Sequence, residues 1–328
     1  MNKRLSNFLL GAAVLALLGM TACQTGSGAD GELIPTTLTM GYIPNIQFAP
    51  IYVALEKGYF ENAGYDVALA YGNEADAVAL VGAGEQTFAI ASGEQVLLAR
   101  EQGLPVVYVA AWYQDFPVGM ASLSEADIVV PENLTSQRVG IPGLYGASYI
   151  GCIALLQAGG LTEEDVDLLS IGFNQVEALA TGQVDAAVIY LANEPVVLRA
   201  QGYDVNVIQV ADYLELVANG LVTNEDTIAG NPRQVTAFID ALLKGIADTI
   251  ENPVEAYEIS EKYVENLAEA DAAVQRLILA ESIKLWQTDR LGYSEPAGWI
   301  NMQQVLVDMG LLENALTLEE AFTNDLLP

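Results

Sequence analysis

From about residue 35 the chain switches repeatedly between short apolar runs and stretches with apolar residues at helical spacing, in two successive series. In the first, residues 37–42, 66–70, 87–91 and 105–111 have strand character. Helical patterns over 48–60, 75–81 and 94–102 separate them. In the second, strand-like 138–141, 166–171, 186–190 and 205–210 alternate with helical patterns to Gln157, over 175–180 and over 194–201. Strands that alternate with helices build βαβ units, because each crossover helix must cover the sheet it leaves. The pattern therefore predicts two α/β units with mainly parallel sheets. From Pro232 onward the spacing is almost wholly helical, with Pro253 and Pro296 starting helices and Gly310 ending one. Strand-like 119–122 and 220–223 sit at the two transitions and are read as crossovers. This divides the chain into a first lobe (35–118 with 221–328) and a second (119–220), the C-terminal helices returning to the first.

The chain is long enough for two such lobes, at 328 residues. Hydrophobic residues make up 52% and charged residues 17%, which excludes a disordered chain. After the N-terminus no apolar run reaches the roughly 20 residues a membrane helix needs. A net charge of −31 argues against nucleic-acid binding, which needs clustered Lys and Arg to neutralise phosphate. It also disfavours a strongly anionic ligand.

The N-terminus is a separate object. Lys3 and Arg4 precede an apolar stretch, residues 8–20, too short for a membrane span. Met20-Thr21-Ala22-Cys23 follows and resembles the lipobox of bacterial lipoprotein signals, with Met where Leu is usual. That resemblance implies a signal over 1–22, lipidation of Cys23 and attachment to the outer face of the cell membrane (the periplasm if an outer membrane exists). Residues 23–34, rich in Gly and Ser at their start, have the composition of a flexible tether. One cysteine then remains. Cys152 lies in an apolar helical stretch and is read as a core residue without chemistry.

The ordered string Gly41-Tyr42-Ile43-Pro44-Asn45, Ala49-Pro50-Ile51-Tyr52-Val53-Ala54, Lys57-Gly58-Tyr59-Phe60 and Gly64-Tyr65-Asp66-Val67 resembles the opening of one family. It is the type II ABC substrate-binding proteins related to binders of thiamine pyrimidine precursors. Riboflavin, nitrate and alkanesulfonate binders are relatives. Ala91-Ser92-Gly93-Glu94 and Tyr190-Leu191-Ala192-Asn193-Glu194-Pro195 agree in organisation. The resemblance implies a two-lobed α/β fold of the periplasmic-binding-protein type, with ligand held between lobes at the carboxyl ends of the strands. The residues falling there are Tyr42, Asn45 and Phe48 after the first strand, Ser92 and Glu94 after the third, and Trp112 and Tyr113 after the fourth. From the second unit come Tyr145, Ser148, Tyr190, Asn193 and Glu194. Each has a plainer reading, such as a turn at Pro44-Asn45 or a core role for any one aromatic. Their common position at strand ends is what counts.

The precursor-binding branch carries a His near residues 45–52, whereas this chain has no His. The related fungal synthases use a histidine and a Cys-rich motif, both missing from this sequence. With neither the usual proton shuttle nor a nucleophile elbow, the chain reads as a non-enzyme that needs no cofactor or metal. A lipid-anchored hydrolase using Ser92 or Ser148 is the alternative of a different class. Tyr and Trp faces with Asn, Ser and Glu at their edges suit a flat, uncharged heteroaromatic ring. Riboflavin ranks first, a thiamine-type pyrimidine second and an aliphatic sulfonate, which calls for Lys or Arg, well behind. The resemblance further implies a membrane permease as partner, and the chain is expected to be a monomer.

Overall fold

A computed structural model describes residues 32–328; the signal segment, Cys23 and most of the tether lie outside the described residues. The first series forms β1 (Ile34–Gly41), α1 (Ala49–Glu56), α2 (Tyr59–Asn62), β2 (Tyr65–Gly72), α3 (Glu74–Gly82), β3 (Phe88–Ser92), α4 (Gly93–Glu101) and β4 (Val106–Ala111). The second forms β5 (Val118–Leu123), β6 (Arg138–Ile141), α5 (Gly146–Ala158), β7 (Asp167–Ser170), α6 (Gln175–Ala180), β8 (Ala186–Tyr190), α7 (Glu194–Ala200) and β9 (Val205–Gln209). The remainder is β10 (Asn219–Asn224), α8 (Glu225–Gly230), α9 (Pro232–Glu251), α10 (Pro253–Ser260), α11 (Ala272–Trp286), α12 (Pro296–Asp308) and α13 (Leu318–Ala321).

Two five-stranded sheets result, ordered β2-β1-β3-β10-β4 and β7-β6-β8-β5-β9. They share one plan. In each, the fourth position is filled by the strand arriving from the other series, and that strand runs antiparallel to both neighbours. The expectation of mainly parallel sheets is corrected to this extent. The chain passes between the sheets at β4 to β5 and at β9 to β10.

The apolar runs sit where full burial demands them. Every residue of β3 and β4 is buried, as a strand covered by helices on both faces requires. The 20-residue α9 covers one of those faces. Asn231 caps it by accepting the Gln234 N–H, Pro232 opens its first turn, and Val235, Phe238, Ile239, Leu242 and Ile246 recur on one buried stripe. The Phe88 and Phe238 rings stack at 3.9 Å between centroids; burying a ring of this size is worth ~1.5–3 kcal/mol. The C-terminus returns to the first sheet, where the Thr323 N–H donates to the Tyr108 carbonyl at 3.0 Å.

Candidate functional site

At the carboxyl end of β3 the chain turns directly into α4. Gly93 makes the turn because a Cβ there would lie 2.1 Å from Cγ1 of Val217. The turn delivers Ser92 and Glu94, both fully buried, to one spot. The Ser92 Oγ lies 2.5 Å from Oε2 of Glu74 and 2.5 Å from Oε1 of Glu94. Glu74 opens α3 and turns its carboxylate over Gly41, where any Cβ would meet Oε1 at 2.5 Å. That carboxylate also accepts the Ser92 N–H at 2.9 Å and Nδ2 of Asn219 at 2.9 Å. Asn219 is the first residue of antiparallel β10 and pairs with Ser92 across the ladder. The inserted strand thus brings its amino end to the carboxyl end of its neighbour.

Burial and the adjacent Glu74 charge push the Glu94 carboxyl up to about 7. Burial raises Glu74 as well, against the donors from Ser92 and Asn219 that favour its ionised form. Oε2 of Glu94, Oδ1 of Asn219 and Nε2 of Gln114 are buried without a hydrogen-bond partner.

The second sheet contributes a matching corner. Oε2 of Glu194 accepts the Tyr190 N–H at 2.8 Å, and Nδ2 of Asn193 donates to Oε1 at 3.1 Å. Burial raises the Glu194 carboxyl. The Tyr190 phenol is raised first by burial and then by the charges of Glu74, Glu94 and Glu194, so it stands in the field of carboxylates from both sheets.

Aromatic rings flank these corners. Phe48 lies 6.1 Å from Tyr71 and 6.4 Å from Trp112 between ring centroids. Trp112 and Tyr113 are almost wholly enclosed and both pack on Trp286 of α11, the Tyr113 ring stacked on it at 6.2 Å. The structure therefore builds these two into an aromatic core rather than an open face. Asn45 spends its side-chain oxygen on the Gln47 N–H, capping a short helical turn. Tyr145 is 60% exposed with its ring folded over Gly143, and Ser148 is half-buried; neither joins the groups above.

An opening of about 430 Å³ leads outward, lined among others by Tyr42, Phe173, Gln175, Asn193 and Glu194. That is within the size range of small-ligand pockets. Tyr42 occupies the left-handed region at φ 81°, which costs a non-glycine residue ~1–3 kcal/mol and is characteristic of ligand clamps. Burial and the Glu194 charge raise its phenol. Lys and Arg are absent from the lining, and among the described residues no His/Cys/Asp/Glu group could hold a metal ion.

Sequence reading missed Glu74, Asn219, Phe173, Gln175 and Trp286. Glu74 directly precedes the helical pattern over 75–81, where an acid is ordinary because the helix dipole favours one. Phe173 carried a usable signal, an aromatic next to Gly172 directly after a strand.

The comparisons agree with this architecture. Residues 45–256 match the family described as NMT1/THI5 like. The chain is 38% identical to the riboflavin-binding protein RibY of Chloroflexus aurantiacus, over 98% of this chain and 97% of that one. It is 29% identical to the formylaminopyrimidine-binding protein of Halalkalibacterium halodurans, over 98% of this chain and 99% of the relative. Among solved structures, the periplasmic aliphatic sulphonate binding protein SsuA of Escherichia coli superposes with a TM-score of 0.73 at 12% identity, covering 88% of this chain and 96% of that one.

Proposed function

The chain belongs to the NMT1/THI5-like family, and from that membership we propose that it is the solute-capturing component of an ABC importer with riboflavin as its cargo. The observation that carries the cargo is the 38% identity to a riboflavin-binding protein along nearly the whole of both chains. The chemistry of the cleft is consistent with it. An isoalloxazine ring is flat, uncharged and edged by one imide N–H and two carbonyls, and its ribityl chain offers hydroxyl donors. Tyr42 and Phe173 are the aromatic surfaces that line the opening, and Asn174, Gln175, Asn193 and Glu194 are polar groups beside them. A sulfonate would need a cation that the lining lacks.

The mechanism proposed is closure of two lobes about the crossings β4–β5 and β9–β10. Ligand that touches both lobes only in the closed form shifts the population toward it. The closed protein, a monomer tethered through lipidated Cys23, then docks on its membrane permease. Nothing in this scheme requires bond-making chemistry.

Protein purified without added ligand tests the cargo by its absorption spectrum, followed by fluorescence titration with riboflavin. Yellow protein that releases a flavin on denaturation, or saturable quenching of flavin fluorescence, supports the proposal. Saturable binding of a formylaminopyrimidine with no flavin binding would replace riboflavin by the second cargo, which the 29% identical relative favours. Turnover of a bound ester or amide would replace capture by hydrolysis.

A further inference from the structure

Hydrogen counting around buried Ser92 points to a trapped proton. A serine hydroxyl has one hydrogen to donate, yet Ser92 Oγ stands 2.5 Å from a carboxylate oxygen of Glu74 and 2.5 Å from one of Glu94. Only one of these contacts can be donated by Ser92. The other must be donated to it, so one of the two carboxyls carries a proton. Both distances lie at the short end of the O–H···O range, and the one to an ionised carboxylate is that of a charge-assisted bond.

The remaining partners decide which carboxyl it is. Glu74 accepts the Ser92 N–H and the Asn219 amide, both at 2.9 Å, in addition to the hydroxyl. Three donors stabilise an ionised carboxylate. Glu94 has its own amide and a Gln95 Nε2 at 3.4 Å, and its Oε2 is buried with no partner. Among the described residues no cation acts on the Glu94 carboxyl. Glu74 from α3 and Tyr190 from β8 act on this spot, and the cation of α4, Arg100, is paired elsewhere with Glu225 and Glu320.

We infer that Glu94 is a neutral carboxylic acid that donates through Ser92 to ionised Glu74, and that its unpartnered Oε2, enclosed in this structure, becomes an uncharged acceptor for O–H or N–H donors of the ligand when the lobes part to admit it. The proton assignment needs no ligand; its role in selection rests on the capture reading above. The pair then holds one negative charge instead of two. Closing the cleft over an uncharged ligand expels water, and a second buried charge without a cation would raise the cost of that step. Capture therefore favours the protonated form. The elevation of Glu94 to about 7 puts the change near neutral pH.

Infrared difference spectra of the ligand-free protein, wild type minus Glu94→Gln, test the proton. A carboxylic-acid carbonyl band is expected at about pH 6, fading as pH rises through about 7 and missing from Glu94→Gln. Ser92→Ala should keep the band but move it, because the acid loses its acceptor. A wild-type protein without the band, or a band that persists in Glu94→Gln and vanishes in Glu74→Gln, overturns the assignment. Riboflavin titration across the same range reads the consequence. Wild-type affinity should fall by up to about tenfold per pH unit above 7, the limit for one linked proton, while Glu94→Gln stays flat. Identical profiles for the two proteins would remove Glu94 from selection. The band without riboflavin binding at any pH would uphold the proton and overturn the cargo alone.

Discussion

The rings of Tyr42 and Phe173 meet edge to face, 5.1 Å between centroids and 67° apart, one following a strand of the first sheet and the other a strand of the second. They form an aromatic bridge across the mouth of the cleft. An edge-to-face pair contributes ~0.5–1.5 kcal/mol beyond its buried area. Phe173→Ala should therefore speed release of bound ligand roughly 2–10-fold while leaving the melting temperature of the ligand-free protein nearly unchanged, since Phe173 is 62% exposed. Stopped-flow release of a fluorescent ligand checks this, and an unchanged rate would show that the bridge does not hold the lobes closed.

Tyr42 is held at φ 81°, so relieving it should separate stability from binding. Tyr42→Gly removes ~1–3 kcal/mol of backbone strain, offset in part by the flexibility glycine adds to the unfolded chain. Its melting temperature should match or exceed that of the wild type while its ligand affinity drops. A variant that melts lower and binds equally well would mean that the ring serves packing alone.

Gly245 sets the approach of α9 to α1. A Cβ at that position would lie 2.2 Å from the Pro50 carbonyl oxygen. Alanine would gain about 1 kcal/mol of helix propensity, but a backbone oxygen cannot step aside, and forced overpacking costs ~1–3 kcal/mol. Gly245→Ala should lower the denaturant midpoint; a rise would mean that the two helices can separate freely.

Asp248 anchors the same helix to the junction of α1 and α2. It accepts from Lys57 Nζ at 2.9 Å and from the Tyr59 hydroxyl at 2.6 Å. Burial alone would raise its carboxyl, but these donors and Asn252 hold it below the ordinary range. A depressed carboxyl contributes stability that is fully present above the unfolded value near 3.8 and is lost as pH falls through the lower folded value. Asp248→Asn should cost ~1–3 kcal/mol at neutral pH, and its deficit relative to wild type should shrink below about pH 4. Urea melts at several pH values measure this, and a deficit independent of pH would rule out the linkage.

Cys152 is fully buried, and burial pushes its thiol up to about 12. Since the thiolate is the reactive species, labelling by a thiol reagent at pH 8 should follow global unfolding. Rapid labelling of native protein would show that α5 opens locally.

Element order was legible from the sequence because its signals are local. The β6, α6 and β8 spans agree to the residue with the apolar pattern, and most other elements shift by one or two residues. The carboxyl ends of the strands, and with them Ser92, Glu94, Tyr190 and Glu194, could be located because strand ends follow from the same pattern. What α4 and α7 make of those residues could not. Asn219 reaches Glu74 across 145 positions, and no periodicity reports a partner at that range. Trp112 shows the converse, since its sequence position suggests a cleft face and only α11, arriving much later in the chain, encloses it.

The sequence by itself determined two α/β series, the apolar strands that each sheet buries, the absence of His and the scarcity of cations. Those are properties of composition and short-range spacing. Tertiary structure alone decided that each sheet takes in, as an antiparallel strand, the segment by which the chain crosses into it, that two carboxyls meet at one serine, and that Tyr42 bridges to Phe173. The reason is physical. Burial makes a carboxyl's neighbours decide its charge, and those neighbours are chosen by the folding of distant segments onto one another.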